Sequence, residues 1–324
     1  MNEGLLLAGG GLLLYLGAEW FVGGASALAL ALRVPQILVG LTVVAYGTSA
    51  PEVIVGISAA SGGHGEVALG NVVGSNIVNI GLILGLAALV SPAHVNRDLG
   101  RRELPVLLAS TVFVVLAMGD GRVSRFEGGG LVLAAVAYTA FMIRIARSAS
   151  AVARAGVGAA VASEAADAAG APATNGIARS AAIALAGLVV LLVGGSLFVD
   201  GAVEVARSLG MSERIVGLTI VAVGTSLPEL VTSVVAARRG HSGLAVGNVV
   251  GSNIFNAFLC LGVSALAGPV VMPFATALPD LLALSVMTVL ACVLIRSERT
   301  ISRAEGAFAL TLYVAYTVAT VVRG

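Results

Sequence analysis

The segment VGLTVVAYGTSAPE at residues 39–52 returns as VGLTIVAVGTSLPE at 216–229, and GNVVGSNIVN at 70–79 returns as GNVVGSNIFN at 247–256. Both copies share one offset, 177 residues, with no gap between the blocks. Roughly 30 of about 51 positions from Val39 to Leu89 are identical to their counterparts. Outside the block the match thins to scattered residues such as Gly17/Gly194 and Phe21/Phe198. Chance does not produce such a block; duplication does. Whatever the motif does, the chain builds it twice.

Each copy lies among long apolar runs, bounded by charge, Pro or Gly near 4–31, 36–61, 66–90, 103–119, 126–146, 178–206, 214–237, 243–268, 275–295 and 304–322. About 20 such residues cross a hydrocarbon core of about 30 Å. Of the 324 residues 58% are hydrophobic and 11% charged, against about 25% charged in a soluble domain. A soluble globule of this size needs a more charged exterior, so a soluble enzyme is excluded. The expected fold is all-α: a polytopic membrane protein of ten transmembrane helices. A net charge of +1 without a basic stripe excludes a nucleic-acid partner. Met1-Asn2-Glu3 lacks the positive start of a secretory signal, so the first run reads as a retained span.

Five helices per half is an odd number, so the second half enters the membrane upside down. This predicts two inverted repeats, residues 1–147 (duplicated block 39–90) and 177–324 (block 216–267). Between them, 148–176 reads as a cytoplasmic linker, flexible because it is rich in Ala, Gly and Ser and too short for a regulatory domain. All 18 basic residues are Arg. With both termini outside, 13 fall in inside connections and 5 outside, which fixes that orientation by the positive-inside rule. Inverted-repeat transporters hold their ions near the midplane on interrupted helices. The repeated block is therefore expected to form one site from opposite faces.

Glu52 and Glu229 lie about 16 residues into their spans. A carboxylate at that depth is costly unless paired, hydrated or ligating a cation. Pro51 and Pro228 precede them, with Gly47 and Gly224 upstream. Proline removes an N–H and disfavours helix at the preceding residue, so GTSxPE is expected to unwind and turn carbonyls toward the site. The bland alternative is a plain proline kink. Ser75 and Asn79, like Ser252 and Asn256, are four apart and share a helix face. Thr48, Ser49, Thr225 and Ser226 add hydroxyls. Carboxylate, amide, hydroxyl and carbonyl oxygens form a hard-cation set suited to Ca²⁺ or Na⁺.

The remaining polar residues carry less. Gly70/Gly74 and Gly247/Gly251 have helix-packing spacing. Glu19, Asp200 and Glu204 are unmatched by the offset and read as near water or capping packing contacts. His64 and His241 match but fall in connections, as solvated turn residues, and His94 has no distinguishing context. Cys260 and Cys292 lie in apolar stretches and read as small buried hydrophobes.

On GTSAPE…GNVVGSNIVN and GTSLPE…GNVVGSNIFN, the chain resembles the cation/Ca²⁺ antiporter superfamily, most closely its prokaryotic Na⁺/Ca²⁺ exchangers. The resemblance implies a central bundle of the second, third, seventh and eighth helices, across which the first and sixth slide. It implies that Glu52 and Glu229 ligate Ca²⁺, that Thr48, Ser49, Ser75 and Asn79 supply Na⁺ and Ca²⁺ ligands, as do Thr225, Ser226 and Ser252, and that the carbonyls of Ala45 and Ala222 coordinate Na⁺. Asn256 stands where some members, including K⁺-dependent exchangers, have Asp, which argues against K⁺ co-transport. The GNxxE motif of the H⁺-coupled branch is absent. The expected function is electrogenic, K⁺-independent Na⁺/Ca²⁺ exchange by alternating access in the plasma (inner) membrane. Ca²⁺ and Na⁺ are then substrates, the bilayer is the surrounding partner, and no cofactor is needed. An H⁺/Ca²⁺ or other divalent antiporter is the alternative. An intramembrane hydrolase using Ser49 or Ser226 lacks a His at span depth, and a passive channel would need no counter-ion.

Overall fold

The computed structural model describes residues 3–94, 97–154, 176–210, 222–297 and 300–323. It is helical almost throughout. The helices are α1 (Glu3–Leu32), α2 (Gln36–Thr48), α3 (Ala50–Ser61), α4 (Gly65–Val90), α5 (Arg97–Ala117), α6 (Arg125–Arg154), α7 (Ile177–Ser208), α8 (Ala222–Thr225), α9 (Leu227–Arg238), α10 (Ser242–Ala267), α11 (Phe274–Ser297) and α12 (Arg303–Arg323).

Among the described residues, seven helices are long and apolar enough to cross a membrane: α1, α4, α6, α7, α10, α11 and α12. The pair α2–α3, bent by 45°, makes an eighth if counted as one span. Helix α5 falls short because Arg101, Arg102 and Glu103 enter every long window along it. The seventh expected span begins outside the described residues, which take it up at Ala222. The fifth helix continues to Arg154, past the residue where composition suggests a linker. The rest of that linker, 155–175, lies outside the described residues.

Helices α1 and α7 lie antiparallel, because Gly10 faces Phe198, Gly17 faces Leu191 and Gly24 faces Ala184. A Cβ on Gly10 would sit 2.5 Å from the Phe198 amide nitrogen, and one on Gly194 2.5 Å from that of Leu14. Backbone meets backbone there, which only glycine permits. The contacts obey the repeat offset: Gly17 against Leu191 answers Gly194 against Leu14, and Gly10 against Phe198 answers Gly187 against Phe21.

Helices α4 and α10 are the most enclosed spans, with 78% and 83% of their apolar windows buried, against 11% for α12. Helix α10 packs on α2 through Gly247, whose Cβ would meet the Ile37 carbonyl at 2.6 Å, and Gly251, which faces the Leu41 carbonyl at 2.7 Å. Close packing is thus the role of these two glycines. The offset puts the matching partners of Gly70 and Gly74 near 214–218, outside the described residues.

Short antiparallel strand pairs close the ends. β1 (Ala93–His94) pairs with β4 (Thr300–Ile301), and β2 (Arg122–Val123) with β3 (Val270–Val271). Helices α6 and α12 both start with a reciprocal cap. Ser124 N–H donates to Glu127 Oε2 at 2.8 Å and Glu127 N–H to Ser124 Oγ at 3.3 Å. Ser302 and Glu305 repeat this at 2.7 and 3.3 Å.

Candidate ion-binding site

The two GTSxPE segments meet at the centre. Helix α2 ends at Thr48, Ser49 takes φ −84° and ψ 9°, and α3 starts at Ala50 with Pro51 in its first turn. Pro at that position needs no N–H and sets the helical φ, so the chain breaks and restarts at once. Ser226 takes φ −91° and ψ 9° before α9, which starts with Pro228 in its first turn. The expected unwinding is therefore a break one residue wide, and it places Glu52 and Glu229 in the first turns of α3 and α9. Their carboxylates sit at helix N-termini, where backbone dipoles favour negative charge.

Glu52 and Glu229 are 0% and 1% exposed. Each is held by the serine of the other half: Ser49 Oγ donates to Glu229 Oε1 at 2.7 Å and Ser226 Oγ to Glu52 Oε1 at 3.1 Å. Ser75 Oγ also reaches Glu52 Oε1, at 3.5 Å. Neither Oε2 has a partner, although both are buried. No ion pair among the described residues reaches either acid. The crossed bonds gather the two acids at one buried place, where a charge on one disfavours a charge on the other.

Of the other expected residues, Thr48, Ser75, Asn79, Ser252 and Asn256 are all buried. Asn79 Oδ1 and Ser252 Oγ, like the two Oε2 atoms, are buried oxygens without a partner. Buried polar atoms are nearly always satisfied, so this concentration of lone pairs fits a cation. No group of three or more His, Cys, Asp or Glu is found among the described residues. A cation here would complete its shell with neutral oxygens, the requirement of Ca²⁺ or Na⁺ and not of Zn²⁺.

Some expected ligands have other duties. Thr48 Oγ1 donates to the carbonyls of Val44 at 3.1 Å and Ala45 at 3.5 Å, and to Asn248 Oδ1 at 3.3 Å. The Ala45 carbonyl also accepts the Ser49 amide at 3.1 Å. Across the repeat the Ser226 amide turns to the Val223 carbonyl, at 3.1 Å. Ala222 opens α8, and Thr225, its last residue, is half-buried.

Sequence reasoning missed four asparagines. Asn71 Nδ2 donates to the Glu52 carbonyl at 3.0 Å, and Asn248 Nδ2 to the Glu229 carbonyl at 3.4 Å and to Ser233 Oγ at 2.9 Å. Asn76 Nδ2 donates to the Asn253 carbonyl at 3.2 Å and Asn253 Nδ2 to the Asn76 carbonyl at 3.3 Å. All four are identical across the repeat, and that identity was the available signal. Cys260 was missed too: its thiol donates to Asn256 Oδ1 at 3.3 Å, so it is more than a buried hydrophobe. Asn79 and Asn256 each start a stretch of π-helix, Asn79–Leu84 and Asn256–Cys260, a widening common at functional sites.

Outside the centre, Glu19 pairs with Arg238 at 2.8 Å and with Arg239, tying α1 to the end of α9. Asp200 and Glu204 are exposed, in keeping with a place near water. His64 is an exposed turn residue, whereas His241 is half-buried with Nδ1 3.2 Å from Gln36 Nε2, which corrects its reading as solvated. Burial first, and then the charge of Arg239, lower the His241 pKa from its ordinary value.

A duplicated block that drives paired acids and neutral oxygens together at the centre of apolar helices is the architecture of a secondary transporter, not of an enzyme. The profile of the sodium/calcium exchanger protein family matches residues 3–144 and 179–322, and the chain belongs to that family. It is 36% identical over 264 residues to the inner membrane protein YrbG of Escherichia coli K12, covering 82% of this chain and 79% of that protein. It is 34% identical over 345 residues to the sodium/calcium exchanger MaX1 of Methanosarcina acetivorans, covering 97% of each. The sodium-calcium exchanger NCX_Mj, in a structure soaked with zero Na⁺ and Ca²⁺, superimposes with a TM-score of 0.83 at 31% identity. That match covers 99% of this chain and 100% of NCX_Mj.

Proposed function

We propose that this protein exchanges Na⁺ for Ca²⁺ across the inner membrane by alternating access, electrogenically and without K⁺. The observation that carries the reading is the crossed pairing of Ser49 with Glu229 and Ser226 with Glu52, which leaves an unpartnered carboxylate oxygen on each acid. Glu52 and Glu229 hold Ca²⁺ between them, with Thr48, Ser49, Ser75, Asn79, Thr225, Ser226, Ser252 and Asn256 completing the shells of Ca²⁺ and Na⁺. The carbonyls of Ala45 and Ala222 serve Na⁺. One Ca²⁺ or two Na⁺ neutralise the two carboxylates, so the loads compete for the same oxygens. A further Na⁺ on the GTS segments makes exchange electrogenic. A neutralised site crosses the low-dielectric barrier, whereas the doubly negative empty site does so at high cost, and this asymmetry enforces exchange over leak.

The frame proposed for this chemistry is ten transmembrane helices in two inverted repeats, residues 1–147 and 177–324. A cytoplasmic linker joins them, and both termini face out. The antiparallel α1 and α7, and the backbone contacts that recur at the repeat offset, support the inversion. The family profile also matches in two segments.

The test is uptake of radiolabelled Ca²⁺ into proteoliposomes loaded with Na⁺ and diluted into Na⁺-free, K⁺-free buffer. Uptake that needs internal Na⁺ and builds a membrane potential is the expected result. Uptake driven only by a pH jump would instead make the protein an H⁺/Ca²⁺ antiporter, and conductance without a counter-ion would make it a channel.

A further inference from the structure

At the centre of the molecule the two halves differ in their side-chain bonds, most plainly in one between asparagines. The reciprocal bonds between Asn76 and Asn253 obey the repeat. The next one does not. Asn79 Nδ2 donates to Asn253 Oδ1 at 2.9 Å. Its counterpart would run from Asn256 Nδ2 to Asn76 Oδ1, and both of those atoms are buried without a partner. A donor and an acceptor, unpaired in one half, are thus the equivalents of a bonded pair in the other. The serines lean the same way: Ser75 Oγ reaches Glu52, while Ser252 Oγ has no partner. So do the helix breaks, where the Ser49 amide keeps an i→i−4 bond and the Ser226 amide takes an i→i−3 bond.

Buried unpaired groups persist in native structures for a reason. Inverted repeats supply one. Their pseudo-two-fold axis lies in the membrane plane, so it exchanges both the halves and the two sides of the membrane. A state in which only Asn79 is held has a mirror state in which only Asn256 is held, and that state opens to the opposite side. Holding the amide nitrogen fixes where the amide oxygen points. In the present state Asn79 Oδ1 is free to face an ion, whereas Asn256 Oδ1 is taken by the Cys260 thiol.

We propose that Asn76 and Asn253 are positioning residues for ion exchange, each holding the ligand asparagine of the other half in one facing state only. Asn253 holds Asn79 in the state described, and Asn76 holds Asn256 in its mirror. The inference rests on the antiporter reading and refines it: each facing state holds the asparagine of one half only.

The prediction is antisymmetric. Asn253→Ala disfavours the present state and Asn76→Ala disfavours the mirror state, each by about five-fold in the equilibrium, the worth of one net hydrogen bond. The reciprocal backbone bonds exist in both states and cancel. Two measurements test this on the full-length chain. In right-side-out and inverted vesicles, the ratio of Ca²⁺ KM values at the two faces moves in opposite directions for the two variants. In the purified chain without ions, hydrogen–deuterium exchange of segments 45–52 and 222–229 shifts in opposite senses, a readout that needs no transport.

Asn253→Asp, which keeps an oxygen for the Asn79 amide, leaves the wild-type asymmetry, and so does Cys260→Val. A merely structural role would weaken the fold in both alanine variants and move both readouts the same way, which overturns the proposal. An Asn253→Asp effect equal to that of Asn253→Ala overturns it as well, and loss of the asymmetry in Cys260→Val would make it a fixed consequence of the thiol. Wild-type vesicles that exchange nothing, with antisymmetric hydrogen exchange intact, would fail the antiporter reading and leave the two-state device standing.

Discussion

The α1–α7 pair and the central site are both built twice, yet the duplication has kept different things in each. At the centre it has kept residues: the side chains that bond the acids' segments or cross between the halves are identical in the two copies, down to Asn71/Asn248 and Asn76/Asn253. Along α1 and α7 it has kept mainly the points of contact: Gly10/Gly187, Leu14/Leu191, Gly17/Gly194, Phe21/Phe198 and Gly24/Gly201 are identical, whereas most positions between them differ. A carboxylate that lacks a charge partner tolerates few alternatives, because every neighbouring donor and acceptor has to be the right one. A backbone-to-backbone contact asks only that a side chain be absent at one position. The site constrains whole segments; the packed pair constrains only its points of contact.

The contrast can be broken most severely at its charged end. Glu52→Gln and Glu229→Gln each abolish Na⁺-dependent Ca²⁺ flux while the protein still reaches the membrane folded, as judged by monodisperse elution. Flux near wild type in either variant would remove the acids from the site. Next come the glycines. Gly17→Leu or Gly187→Leu forces side chain into backbone and costs about 1–3 kcal/mol of stability, read as a lowered melting temperature, whereas Gly9→Leu, with nothing within 4 Å of a Cβ, leaves it unchanged.

Ser49→Ala and Ser226→Ala sharpen the central half of the comparison. Each removes one bond to a carboxylate, worth about 1.5–3 kcal/mol. Each therefore weakens Ca²⁺ activation roughly ten-fold or more, and by similar factors if the crossed pairing is symmetric. A ten-fold difference between them would show that one half dominates. Glu19→Gln releases Arg238 and Arg239, both partly exposed, and costs about 1 kcal/mol or less. Chemical denaturation in detergent at low and high salt measures it, and the wild-type advantage shrinks as salt rises.

The smallest effect belongs to His241. Its pKa is lowered in the folded state by burial and by Arg239, so the unfolded chain takes up that proton first as pH falls. The stabilisation of the neutral ring is complete above about pH 6.5, the ordinary histidine value, and is lost as the pH drops through the lowered folded value. His241→Gln removes this acid-side loss from a pH series of melting curves.

How much of this was readable beforehand differs between the two regions as well. Apolar runs fix where helices lie, since a lipid-facing backbone must satisfy itself, and the structure follows those runs closely wherever it is described. The acids, hydroxyls and paired prolines were legible because the same unusual residues stand twice at one spacing. The four missed asparagines were equally repeated, but each donates to a backbone carbonyl on another helix, which no linear pattern marks. Glu19 could not be paired with Arg238 and Arg239 from sequence, since about 220 residues separate them and the link exists only because α1 lies across the end of α9.

The sequence alone determined that the chain is a membrane protein with a duplicated acid-bearing motif, because burial of charge and hydrophobic length are local and repetition is visible by eye. Only the tertiary structure decided that each glutamate is held by the serine of the opposite half, and that the amide nitrogen of one asparagine is bonded while that of its twin is not. Both are relations between helices. Identical sequences can occupy unequal environments once they pack against each other, and no comparison of the two copies in one dimension contains that difference.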